Sequence, residues 1–498
     1  MREKILVWLD VSLITFGIST QLKKNEDYEI YAIVDTNKGR SFYENQKIVQ
    51  FSKIWFYRDC FSKFEKEIDI EYLEEFEKKY KIDLWKIAYA DEMIYGYNKF
   101  HKFKEVEILR IIEKECKFFE KVLDEVKPKF LLTRITDTSS MELLTQLCIA
   151  KGIIPLISVP TRLGNKFIIS ESFDMLDSSF EDNKKILENE INTFQELKTH
   201  IEIFSKRDLE YLHKYKTAKM KWVLAALNFL RLSVTKNYKG FFRNKGRTGL
   251  NVTKYSISFA FKKLYRKAII NKKLLRKFND GNKFVYFPLQ LEPERTVQIP
   301  APYYTNQLEV IRQIAKSLPV DYLLYVKEHP AQKLSAWRSV SFYYEILKMP
   351  NVEMYHPSVS NNIMIGNCSL VITVTGSSGL EAIINEKPCI VLANTTYSKI
   401  SAAVHQLENI QELPVIIGKM LKIKPKLEEV KKYFRIIESK IFEYDEIGLS
   451  MNMNNYFYYD GFLFDNEISL SKMELFLKEN QEELEKLSVQ YEKKFKLY

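Results

Sequence analysis

An α/β fold of two Rossmann-like domains, with a basic helical insert between them and helices at the C-terminal end, is what this 498-residue sequence predicts. Three observations carry the prediction. Apolar runs of strand length alternate with stretches of helical spacing in both halves of the chain. Three such runs in the second half each end in a cluster of polar, Gly or Pro residues, the layout of an open parallel sheet. Between the halves, residues 211–279 are strongly basic and contain no acid. At 59.1 kDa, with 46% hydrophobic and 28% charged residues, the chain is long enough for two or three domains with proper cores and is not disordered.

In the first half, the apolar run from Lys4 to Asp10 is followed by SLITFGISTQLKK at helical spacing and by a second strand, YEIYAIVD, ending in Asp35. No GxGxxG follows the first strand, which disfavours a dinucleotide oxidoreductase. Residues 68–126 are rich in Glu, Lys, Phe, Tyr and Leu at helical spacing, and the segment from Pro128 to Phe167 reads as strand, helix and strand. Asp91, Glu92, Arg134, Asp137, Thr138 and Arg162 stand at breaks between these elements. Asp137 is in place to cap a helix beginning near Ser139, and Asp91 and Glu92 read equally as solvated surface carboxylates. The domain boundaries expected are 1–175 for the first Rossmann-like domain, 176–280 for the insert, 281–424 for the second domain and 425–498 for the C-terminal helices.

Cys60, Cys116, Cys148, Cys368 and Cys389 are scattered without CxxC spacing, so neither a disulfide frame nor a zinc site is suggested, and a reducing cytoplasm fits. The start MREKILVWLD is too short in its apolar run for a signal peptide. No run reaches the length needed to span a bilayer.

The insert holds the chain's positive charge. Residues 211–279 contain 19 Lys plus Arg and no Asp or Glu, against a net +11 for the whole chain. Aromatic and aliphatic residues interleave with the bases in MKWVLAALNFLRL and in YSISFAFKKLYRKAIINKKLLRKF. Basic amphipathic helices of this kind read as contacts to an anionic membrane surface. A solvated linker and a nucleic-acid patch are the other readings; no nucleic-acid module flanks the insert, so no nucleic-acid partner is expected.

In the second half the runs KFVYFP, YLLYV and LVITV are strands. Ligands of an open parallel sheet bind at the carboxyl ends of its strands, and each end here carries usable chemistry. Gln290 and Glu292 follow the first run; Lys327, Glu328 and His329 close the second; Thr375, Gly376, Ser377, Ser378 and Gly379 follow the third. The last cluster precedes GLEAIINE, good helix sequence, so its backbone N–H groups and a positive helix end offer an anion site, with Ser377 or Ser378 as N-cap. Glu381 is placed to accept hydrogen bonds from vicinal hydroxyls such as those of a ribose, or simply to close a capping box. His329 is placed to donate to a phosphate, and Pro330 fixes the direction in which the chain leaves the strand.

QLE at 290–292, HP at 329–330 and TGSSGLEA at 375–382, followed by KPCIVL, resemble the nucleotide-sugar domain of bacterial capsule polysaccharide biosynthesis proteins, including Kdo transferases. The match covers about a quarter of the chain. The resemblance implies the GT-B architecture, with the nucleotide held mainly by the C-terminal domain. It also implies that Gln290, Glu292 and His329 contact the nucleotide part of the donor while Ser377 and Ser378 contact phosphate. CMP-Kdo or another CMP-linked acidic sugar is then the leading donor, with UDP sugars still open.

A glycosyltransferase needs a carboxylate, either to take the proton from an acceptor hydroxyl or to act as a nucleophile. Asp91 is the first choice, Asp137 the second and Glu92 a spare. Arg134 and Arg162 are candidates for substrate binding, the latter through a bidentate pair with the carboxylate of an acidic sugar. No DxD-like metal site is evident, and neither a metal nor a resident cofactor is expected. The reading is a cytoplasmic enzyme held peripherally at the inner face of the cell membrane, acting on a glycan or lipid-linked acceptor. Its rivals are a nucleotide-sugar epimerase of similar fold and a non-catalytic assembly or export factor. The helices after Lys426 would brace the N-terminal domain, or form a coiled-coil contact.

Overall fold

The computed structural model describes residues 2–61, 67–95, 99–134, 138–161, 163, 166–180, 191–201, 241–457 and 467–498. The chain forms two compact units. Unit 1 gathers residues 1–173, 204–251 and 440–498; unit 2 gathers 174–203 and 252–439.

Unit 1 is built on seven strands, numbered here along the chain: β1 (Glu3–Leu9), β2 (Tyr28–Val34), β3 (Lys53–Phe56), β4 (Phe130–Thr133), β5 (Ile154–Pro160), β6 (Lys166–Ser170) and the short β13 (Phe442–Glu443). Their order is β13-β6-β5-β4-β1-β2-β3, parallel from β5 to β3 and antiparallel at β6 and β13. The chain steps outward from β1 through β2 to β3 and then returns to the other side of β1 with β4. That makes β1/β4 the switch point.

Side chains alternate across β1 with period two. Ile5, Val7 and Leu9 enter one core with Phe16 and with Leu484, Leu487, Tyr491 and Phe495 of the last helix. Leu6 and Trp8 enter the other, with residues of the helices Glu105–Val126 and Ser139–Ala150. The last helix, Gln481–Phe495, lies so close to Ile14–Leu22 that a Cβ on Gly17 would stand 2.7 Å from Leu484 Cδ2. The C-terminal helices are thus divided: Leu427–Glu438 packs within unit 2, and those after residue 440 complete unit 1.

Unit 2 has six parallel strands, β7 (Phe284–Pro288), β8 (Leu323–Lys327), β9 (Val352–Tyr355), β10 (Leu370–Thr373), β11 (Cys389–Val391) and β12 (Val404–Gln406). Their order β12-β11-β10-β7-β8-β9 is the doubly wound arrangement, with its switch point at β7/β10. Val285, Phe287, Leu324, Val326, Leu370 and Ile372 are fully buried, as near-continuous apolar strands covered on both faces should be.

MKWVLAALNFLRL lies outside the described residues. Among the described residues no helix is long and apolar enough to cross a membrane.

Candidate functional site

The switch point of unit 2 brings together residues from three adjacent strand ends. After β7, Gln290 turns across the crevice and its Nε2 donates to Thr373 Oγ1 on β10 at 3.0 Å. Thr373 Oγ1 also accepts from Gly376 N at 3.1 Å, which folds the turn back over the strand. A Cβ on Gly376 would stand 2.6 Å from Gln290 Nε2 and 2.8 Å from Thr373 Oγ1. The glycine is therefore required by close approach.

Gln290 is held on its other side by Gln307, whose Oε1 accepts from Gln290 N at 2.7 Å and whose Nε2 donates to Gln290 O at 3.2 Å and to Glu292 Oε1 at 2.6 Å. Below lies a buried ionic group. Arg338 Nη1 is 2.5 Å from Glu292 Oε2, its Nε is 3.2 Å from Glu328 Oε2, and a third donor meets Gln290 O. Glu328, fully buried, also accepts from Tyr343 Oη at 2.7 Å and from His329 N at 2.7 Å. Glu292, expected as a direct nucleotide contact, has its carboxylate engaged by Arg338 and Gln307. It shapes the loop that carries Gln290.

His329 caps the short helix Pro330–Ser335: its Nδ1 accepts from Ala331 N at 3.2 Å. Burial holds the imidazole below its usual pKa, so near neutrality it is uncharged. With Nδ1 an acceptor, the proton resides on Nε2, which is a donor.

Lys327, the last residue of β8, is 6% exposed. Among the described residues its ammonium has neither a hydrogen bond nor an ion pair; burial lowers its pKa, and the charge of Glu381 works against that shift. A buried cation without a partner is costly.

On the β10 side, the helix Ser378–Ile384 begins after Ser377, which holds the N-cap position but makes no side-chain capping bond. Ser377 Oγ donates instead to Glu381 Oε1 at 3.0 Å, and Asn361 Nδ2 donates to Glu381 Oε2 at 2.6 Å. Asn361 is fixed in turn by Tyr286 Oη at 2.7 Å. Glu381, expected to meet a ribose, thus anchors Ser377 to the helix. Thr375 Oγ1 donates to Thr296 O at 2.5 Å, and Tyr397 Oη donates to Gly376 O, so the turn is tied down at both ends.

In unit 1, Asp91 ends the helix Leu84–Ala90 and is 2% exposed. Its Oδ2 accepts from Ser139 N at 3.0 Å and Ser139 Oγ at 2.7 Å; its Oδ1 accepts from Met93 N at 2.7 Å and Ile94 N at 3.2 Å. Arg243 Nη2 lies 3.6 Å from Oδ2. This carboxylate is not the solvated surface acid that was one reading of the sequence. Four donors fill its acceptor positions, and it compensates the N-terminus of Ser139–Ala150. Glu92 follows in a partly buried turn. Thr138 takes the capping role considered for Asp137, its Oγ1 accepting from Met141 N at 3.4 Å. Asp137 and Arg162 lie outside the described residues.

Arg134 follows β4 directly, 3.8 Å from Asp10 Oδ2 at the end of β1, and so marks the switch point of unit 1. There it lines a cavity of about 30 Å³ with Thr15, Thr133, Ser158, Tyr444, Glu446 and Tyr491. Burial pushes the Glu446 carboxyl up, opposed by Arg134 and by a hydrogen bond from Tyr444. Glu446 carries no sequence signal, because it arrives from the C-terminal segment roughly three hundred residues away.

A comparison with curated protein sequences gives no match. Among solved structures, the chain is similar to UDP-GlcNAc 2-epimerase from Methanocaldococcus jannaschii, at 15% identity and a TM-score of 0.25 over 88% of this chain and 99% of that one. It is also similar to the β-Kdo 2,7-transferase KpsC of Thermosulfurimonas dismutans, at 13% identity and a TM-score of 0.32 over 80% of this chain and 98% of that one. Neither superposition is close enough to transfer a residue. The family model described as capsule polysaccharide biosynthesis protein matches residues 201–405, the segment that holds Gln290, His329 and the Thr375–Ala382 turn, and over that segment the resemblance to this family is shown.

Proposed function

We propose that the protein is a glycosyltransferase of capsular or other surface-polysaccharide synthesis, and that the β7/β10 switch point of unit 2 binds the nucleotide-activated donor. Lys327 carries this reading: the residue is 6% exposed overall and its ammonium makes no hydrogen bond or ion pair among the described residues, inside the segment that matches the capsule family. A phosphate would pair directly with this ammonium, on which Glu381 acts only through its charge. His329 Nε2–H and the first-turn N–H groups at Ser377 and Ser378, which have no intrahelical acceptor, are the donors that would accompany it. The same groups would stabilise the leaving phosphate as its charge develops.

A CMP-linked acidic sugar such as CMP-Kdo is the leading donor, from the motif resemblance, and a glycan or lipid-linked glycan is the acceptor. Of the acids considered for the acceptor side, Asp91 is already engaged by four donors. Asp137 is the next acid that the sequence offers for the proton transfer.

The test is a thermal-shift titration of the whole protein with CMP, UDP and GDP, repeated on His329→Ala. A CMP-selective rise in Tm that the variant loses is expected, because a ligand bound only to the native state stabilises it by mass action. A UDP-selective rise would change the donor. No rise with any nucleotide would sink the reading. Product analysis without acceptor then distinguishes transfer from epimerisation.

A further inference from the structure

The helix Gly249–Lys273 differs from the other described helices in charge and exposure. It has seven Lys or Arg residues and no Asp or Glu, and of its 25 residues only Ile270 is buried. Its inner side is attached near the C-terminal end: Arg266 Nη1 donates to Trp337 O at 2.9 Å and to Ala336 O at 3.3 Å, and Ile270 enters the core of unit 2 with Leu274, just beyond the helix. The opposite side is apolar and open. Ile257, Phe261, Leu264 and Tyr265 are 55%, 70%, 67% and 64% exposed. They stand at i, i+4, i+7 and i+8, the spacing that puts four large side chains on one helical face. Scattered exposed apolar residues are ordinary; a contiguous row of them on one helix marks a contact surface. Lys262 and Lys267 follow the row on its two flanks, from where long basic side chains reach outward while their stems lie along apolar surface.

We infer that this face of Gly249–Lys273 is a docking surface for an anionic phospholipid bilayer, lying in the interface with Phe261 and Leu264 inserted and the lysines at the headgroups. Charge decides between the occupants. A second copy of the same helix would set seven cations against seven with no acid to pair them. A nucleic acid would match the charge but would leave the four apolar side chains in water. An anionic lipid surface satisfies both the charge and the apolar face. The inference is independent of nucleotide binding.

The test uses the full chain and sedimentation with vesicles of phosphatidylcholine alone or mixed equally with phosphatidylglycerol. Binding to the mixed vesicles only, weakened by salt, is expected. The double variant Phe261→Ser/Leu264→Ser and the double variant Lys262→Glu/Lys267→Glu should each lower the apparent affinity by about tenfold or more. Both pairs face solvent, so the Tm and its response to CMP should stay unchanged, which separates this result from a failure of the donor site. A Trp placed by Phe261→Trp should shift its emission to the blue with mixed vesicles. Undiminished binding of the serine variant, equal binding to phosphatidylcholine alone, or an oligomer in solution that the serine variant dissociates would each overturn the inference.

Discussion

Lys327 is the residue at which folding and function pull apart. Desolvating its ammonium, which among the described residues has no hydrogen bond or ion pair, opposes folding, so Lys327→Met should leave the free protein as stable or more stable while abolishing the nucleotide-induced rise in Tm. A loss of stability in the free variant would show that the ammonium is satisfied. Arg338 is the opposite case. It neutralises Glu292 and the fully buried Glu328, so Arg338→Ala leaves buried carboxylates uncompensated and should cost about 3–5 kcal/mol in denaturant unfolding. Gly376→Ala should push Gln290 off Thr373 and weaken nucleotide binding, with a Tm loss corresponding to about 1–3 kcal/mol. That Gln290, Lys327, His329 and Ser377 stand at or just after strand ends was legible in the sequence, because strand runs and the polar clusters that close them are local. Arg338, Gln307 and Asn361 were not, because their neighbours in sequence say nothing of the strand ends they support.

Among the elements, the helix Glu105–Val126 carries a titration the sequence hides. Glu115 is fully buried, accepts a hydrogen bond from Tyr57 Oη, and has its carboxyl pushed up by burial to about 8. An acid whose pKa is raised by folding stabilises the native state most below its unfolded pKa and loses that contribution as pH rises through the folded value. Its contribution should therefore fall from pH about 4.5 to about 8, at up to about 1.4 kcal/mol per pH unit. Glu115→Gln should remove that slope from a plot of Tm against pH, and an unchanged slope would assign it elsewhere. The amphipathic pattern of this helix was readable; that Glu113 and Glu115 are buried while Glu120 is only partly so was not, since all three sit in similar sequence.

For the whole molecule, unit 1 is discontinuous. Its core on the β1 side requires Leu484, Leu487, Tyr491 and Phe495 from the last helix, so a chain ended after Ser439 should expose that face and lose the soluble, cooperative unfolding of unit 1. Retention of a full-length-like near-ultraviolet spectrum and unfolding transition by the truncated chain would contradict this. By itself the sequence determined the α/β class, the strands and their carboxyl-end chemistry, and the basic insert, because strand period, turn residues and charge are local properties. Only the tertiary structure decided that Asp91 is held at a helix end, that Glu292 and Glu381 are engaged by side chains of their own unit, that Lys327 makes no hydrogen bond or ion pair among the described residues, and that Glu446 comes beside Arg134. Those outcomes depend on which distant groups share a low-dielectric interior, where every donor and charge must be matched, and sequence spacing does not encode that match.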